Sequence, residues 1–91
     1  MTIKVQNMTS AKGNTVANQF VINDGSLEYF QSYKTIIAKR YVETGTIKLD
    51  ENYWDYSVTT SRYRNQFLGM DTKEIKAAIK SGLIELENLN Q

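Results

Sequence analysis

Trp54, Tyr56, Arg62, Tyr63 and Arg64 crowd into one run, residues 53–69, which also holds the only tryptophan of the chain. Flat rings interleaved with fixed positive charge suit single-stranded nucleic acid, because bases stack on aromatic faces while guanidinium groups meet phosphates. The same rings suit a protein contact, where tyrosine offers a large, rigid, amphipathic surface at small entropic cost. Residues 61–80 extend the cationic character, since Arg62, Arg64, Lys73, Lys76 and Lys80 face only Asp71 and Glu74. With Tyr56 and Gln66 added, the candidate residues for binding a partner or a nucleic acid are Arg62, Arg64, Gln66, Tyr56, Lys73, Lys76 and Lys80. The plainer reading stands beside this one: helices normally carry solvated charge, and a small core uses its tryptophan as filling.

Catalytic chemistry has little to work with. The chain contains no His and no Cys, which removes the common zinc sites, the serine–histidine arrangements and thiolate nucleophiles. Its Asp and Glu residues are scattered and form no recognisable acid–base pair. A non-enzymatic protein without cofactor or metal is expected. The net charge of +1 supplies no general attraction to nucleic acid or membrane, so any such binding has to be a local patch.

The elements that must position these residues follow from periodicity. At 91 residues, with 41% hydrophobic and 23% charged residues, the sequence reads as one globular domain spanning residues 1–91. It has no apolar run long enough to span a membrane and no leader-like start, and a cytoplasmic protein is expected. Alternation predicts a strand over residues 2–8, a turn at Ser10 to Asn14, and a second strand with Val16, Asn18, Phe20 and Ile22 on one buried face. Asn18 would then be a buried amide holding a loop. The Asp24-Gly25 pair predicts another turn, followed by a strand over residues 27–33 with Tyr29, Gln31 and Tyr33 facing one way and Phe30 and Ser32 the other. Near Lys34 the chain either breaks into a new strand, running from Ile36 to Val42, or carries a bulge within one long strand. A turn at Glu43 to Gly45 leads into Thr46 to Leu49.

Beyond Asn52 the period changes to that of helices. Thr59 or Thr60 is expected to cap a helix whose stripe of Tyr63, Phe67 and Met70 packs on the sheet, leaving Arg62, Arg64, Asn65 and Gln66 on its other faces. Gly69 ends it. Asp71 and Glu74 predict a capping box for a second helix that buries Ile75, Ala78 and Ile79, turns Lys73, Lys76 and Lys80 outward, and stops at Gly82. Leu83 to Glu87 is either a last strand or an extended tail, with Ile84 and Leu86 inward. The fold expected is α+β, an antiparallel meander of four or five strands with two short helices on one face. Trp54 is expected to fold back onto Phe67, with Asp55 and Thr60 shaping the turn between them.

Several motifs together resemble a family of small uncharacterised bacteriophage proteins, mainly from phages of Gram-positive bacteria. They are Ser10-x-x-Gly13-x-x-Val16-x-Asn18-Gln19-Phe20, Tyr29-Phe30-Gln31-Ser32-Tyr33 with Ile36-Ile37-Ala38, and the run from Trp54 through Arg62-Tyr63-Arg64-Asn65-Gln66-Phe67-Leu68. The similarity extends from about Ser10 to Asn90. It implies a phage source, and such small accessory proteins often act in the host cytoplasm by binding a host protein, including defence nucleases such as CRISPR effectors. The expected function is non-catalytic binding and inhibition of a host protein. The alternative is a nucleic-acid-binding phage protein that uses its Arg, Lys and Tyr side chains.

Overall fold

The computed structural model describes residues 3–90. Its elements run β1 (Lys4–Thr9), β2 (Thr15–Asn23), β3 (Leu27–Ser32), β4 (Thr35–Tyr41), β5 (Ile47–Asp50), α1 (Val58–Leu68), α2 (Thr72–Ser81) and β6 (Ile84–Glu87). The strands form one six-stranded sheet in sequence order. The first five pair antiparallel, as alternation with short turns predicts, while β6 lies parallel to β5. A parallel neighbour needs a long crossover, and the two helices supply it. The fold is therefore α+β with a mixed sheet in place of the expected four- or five-stranded antiparallel meander. The C-terminal segment is a strand rather than a tail. The expected start of the first strand at Thr2 lies outside the described residues.

Residue types explain where the elements begin and end. Ser57, not Thr59 or Thr60, caps α1: its extended backbone lets Oγ accept from Thr60 N at 3.1 Å. Thr60 is already committed elsewhere, its buried hydroxyl lying 3.0 Å from Ser32 Oγ and pinning α1 to β3. Gly69 closes α1 in the left-handed conformation, and its N–H donates to Asn65 O. Asp71 and Glu74 form the anticipated capping box, with Glu74 N donating to Asp71 Oδ1 at 2.7 Å and Asp71 N to Glu74 Oε1 at 3.0 Å.

α1 packs on β2 and β3, and α2 on β6, so both helices cover the same face of the sheet. Beneath them lie Phe30, Ile37, Ala38 and Leu49, with Ile75 of α2 packed into the same core, all sealed from solvent. Phe67 stacks on Phe30, with ring centroids 6.0 Å apart, rather than on Trp54. Trp54 packs at the margin of this core.

Asn18 departs from its expected place. Its φ is +64°, a conformation that asparagine tolerates better than most residues, and this kink reverses the alternation along β2. Asn18 is exposed, its carbonyl accepts from Tyr33 N at 2.7 Å, and the neighbouring Gln19 becomes the buried amide at 1% exposure. Among the described residues Gln19 Oε1 has no hydrogen-bond partner. At Lys34 the chain reverses in a tight hairpin closed by the pair Ser32 and Thr35, with Tyr33 at φ +57°. The bulge sits further on, where Ile37 is accommodated between the pairs Phe30–Ala38 and Gln31–Ile36.

A buried carboxylate ties the end of the chain to the sheet. Asp50 is fully buried, and its Oδ2 accepts from Asn52 N and Tyr53 N while Oδ1 accepts from Leu89 N and Asn90 Nδ2. Four donors compensate the anion for its lost water. The Asn90 carboxamide then pairs with both backbone groups of Ile36, as the next residue of a strand would.

Candidate partner-binding surfaces

Arg64 is not a surface residue. It is 0% exposed, and its guanidinium is held by the Trp54 carbonyl at 2.6 Å, Asn65 Oδ1 at 2.9 and 3.1 Å, Thr72 Oγ1 at 3.0 Å and Asp55 Oδ1 at 3.3 Å. The Trp54 ring lies 5.3 Å from the guanidinium carbon, a stacking contact that suits the delocalised cation. One side chain thus joins the loop before α1, the helix itself and the start of α2. The expectation that Arg64 offers its charge to a partner is corrected, because every face of the fork is occupied. Its neighbour Arg62 is exposed.

The other candidates are exposed but do not converge. Arg62 and Gln66 line a cleft between α1 and the β1–β2 hairpin, with Ser10, Ala11, Lys12 and Tyr63. Tyr56 lines a different cleft with Asp55, Ser57, Val58, Ser61 and Thr72, and packs edge-on against Tyr53. Lys73, Lys76 and Lys80 are exposed on α2, where their spacing puts them on one outward stripe. Lys12 was not singled out by sequence spacing, since it lies fifty residues before Arg62 and only the fold joins them.

The largest feature that sequence spacing missed is the sheet face opposite the helices. Register carries one rung across all six strands: Val5, Ile22, Tyr29, Lys39, Lys48 and Glu85. The next rung places Asn7, Phe20, Gln31 and Ile36 side by side. No described element covers this face. Val5 is 60% and Tyr41 36% exposed, while Phe20, Ile22, Tyr29 and Ile36 are half-buried. The signal was present in the runs Phe20-Val21-Ile22 and Ile36-Ile37-Ala38, where consecutive apolar residues load both faces of a strand.

The charged half of this face is self-neutralising. Lys48 Nζ lies 2.6 Å from Glu85 and Lys39 Nζ 3.4 Å from Glu87. The hydrogen bond to Glu85 holds the Lys48 ammonium above its ordinary pKa, and the same bond holds the Glu85 carboxyl below the usual carboxylate value. Lys39 also lies 5.6 Å from the Tyr41 ring. Among the described residues no group of three or more acidic side chains could hold a metal ion, and no helix is long and apolar enough to cross a membrane.

The chain belongs to a family of unknown function, DUF8033, whose model matches residues 3–82. No curated protein and no solved structure matches it.

Proposed function

We propose that this DUF8033 protein is a non-catalytic binding protein that docks a partner protein on the open face of its sheet. The observation that carries the reading is the cluster of Val5, Phe20, Ile22, Tyr29 and Ile36 on a face that nothing in the described chain covers. Soluble proteins rarely leave contiguous apolar surface uncovered unless a partner uses it. Aromatic and aliphatic side chains held rigidly on strands favour protein contacts, because little entropy is lost on docking. The chemistry favours a partner with an apolar, uncharged surface: the lysines of this face are paired with Glu85 and Glu87, leaving no net field to collect phosphates. The resemblance to phage proteins suggests a host protein as partner, with a defence nuclease as the leading class, and inhibition in the host cytoplasm as the outcome.

The test is affinity capture from bacterial host lysate with three tagged proteins: the parent, Ile22→Ser combined with Tyr29→Ser, and Arg62→Ala. A partner held by the parent and by Arg62→Ala, lost with the double variant, and reconstituted from purified components supports the reading. Retention by the double variant removes the open face from the function. A low-salt gel shift of the parent with single-stranded DNA, insensitive to the double variant, would favour nucleic-acid binding elsewhere on the molecule.

A further inference from the structure

The cleft between the β1–β2 hairpin and α1 has the make-up of an oxyanion site, and we infer that it binds a single phosphate group through Lys12, Arg62 and Tyr63. It lies on the helix side of the sheet, away from the open face, and does not depend on the function proposed for that face. Its lining is Ser10, Ala11, Lys12, Arg62, Tyr63 and Gln66, with no acidic residue among them. Lys12 and Arg62 are exposed, and neither makes an ion pair among the described residues. Asp55, the carboxylate nearest to Arg62 in sequence, is engaged by Arg64 and by the Ser61 hydroxyl. Two cations from distant parts of the chain therefore border one concavity without a counter-charge.

The walls are fixed in advance of any ligand. Ser10 N donates to Asn14 O and Gly13 N to Ser10 O, while Ser10 Oγ accepts from Lys12 N and Asn14 N, so the hairpin tip is internally braced. Gly13, at φ +82°, permits that tight tip. Gln66 Nε2 donates to Thr9 O at 2.9 Å and fastens the hairpin to α1. A second, independent observation concerns Tyr63, which is 7% exposed and lines the cleft, yet whose hydroxyl makes no hydrogen bond to any described residue. The ring is buried but the hydroxyl is not sealed from solvent, so it can donate to a ligand in the cleft. Because Ser10 Oγ is used only as an acceptor, its proton is also left to donate. Ammonium, guanidinium and hydroxyl donors around a small concavity match the oxygens of a phosphate, where arginine and lysine form charge-assisted bonds.

The chemistry is the same for a free phosphate, a nucleotide or one phosphodiester of a strand, and the experiment separates them. The ¹⁵N-labelled full chain is titrated at constant ionic strength with inorganic phosphate, with a nucleoside 5′-monophosphate and with a short oligothymidylate, using chloride as control. Saturable shifts confined to residues 10–14 and 62–66 are expected. Lys12→Ala and Arg62→Ala should each weaken binding roughly tenfold, the value of one charge-assisted hydrogen bond, and Tyr63→Phe by less. Lys76→Ala should leave it unchanged. Saturation by the oligonucleotide at far lower concentration than by phosphate identifies a nucleic-acid strand as the source; equal affinities identify a small phosphate. Shifts that chloride reproduces, that spread equally over the α2 lysines, or that survive in the Lys12→Ala, Arg62→Ala double variant overturn the site.

Discussion

Two neighbouring rungs of one sheet have opposite fates. Gln6, Val21, Phe30, Ala38, Leu49 and Leu86 form one rung, and Val5, Ile22, Tyr29, Lys39, Lys48 and Glu85 the next. The two differ by a single step along each strand, yet the centre of the first is sealed under the helices while the second stays open. What separates them is a single property, the cover that the β5–β6 crossover provides. On the covered face, apolar side chains stabilise the fold by leaving water, at about 25 cal/mol per Å². On the open face, the apolar side chains of β1 to β4 gain only what they bury against one another. The same residue types therefore carry stability on one side and a surface available for recognition on the other.

The sharpest way to break this contrast is to remove what holds the cover in place. Arg64→Ala should cost roughly 3–5 kcal/mol, since it deletes a fully buried side chain and strands the Trp54 carbonyl, Asn65 and Thr72. Urea denaturation would measure it, with Arg62→Ala, two residues away and exposed, expected within about 0.5 kcal/mol of the parent. Equal costs for the two arginines would refute the network as drawn. Phe67→Ala attacks the same cover through packing, and a comparable loss of about 3–5 kcal/mol is expected from its stack on Phe30.

Gln19 is expected to move in the other direction. An acceptor that is sealed and unpaired carries a desolvation penalty of about 1–3 kcal/mol, so Gln19→Met, similar in length and apolar, should raise the denaturation midpoint. An unchanged or lower midpoint would mean that a bound water already satisfies Oε1. On the open face, Ile22→Ser should lower stability by only about 1 kcal/mol while abolishing partner capture, the reverse of the pattern expected for Phe67→Ala.

The smallest effect concerns the ion pair at the end of the open rung. Glu85 is held below its ordinary pKa by the Lys48 hydrogen bond, so the pair contributes above the ordinary carboxylate range and loses its effect as pH falls through the Glu85 value. From the lysine side, the contribution is complete below the ordinary ammonium value and disappears as pH rises through the elevated Lys48 value. Replacing Lys48 with Gln should return the Glu85 midpoint, followed by NMR of its carboxyl carbon, towards that of a free glutamate. A midpoint that stays depressed would point to another cause.

Much of this architecture was legible locally. The capping box of Asp71 and Glu74, the glycine stops at Gly69 and Gly82, and the alternation of Phe30 and Ser32 against Tyr29 and Gln31 depend on neighbours within one or two turns or along one strand. Such short-range physics acts whatever the rest of the chain does. Local reasoning failed where a local choice depended on something distant. Asn18 could be read only as part of an alternating strand, and its left-handed kink, which exchanged it with Gln19, reflects pairing with Tyr33 across the sheet.

For the candidate sites the division is sharper still. Composition alone determined that this chain lacks His and Cys chemistry, and its aromatic and cationic residues were visible as candidates for contact. Tertiary structure decided which of them are free to make it. Arg62 and Arg64 are the same residue type two positions apart, and a helix turns successive side chains by about 100°, so one met solvent and the other met the loop and α2. Val5 and Tyr29 share a face because strand pairing joins β1, β2 and β3, and Lys12 and Arg62 share a cleft because α1 lies against the hairpin, fastened by Gln66 to Thr9; no periodicity within a single segment records either meeting.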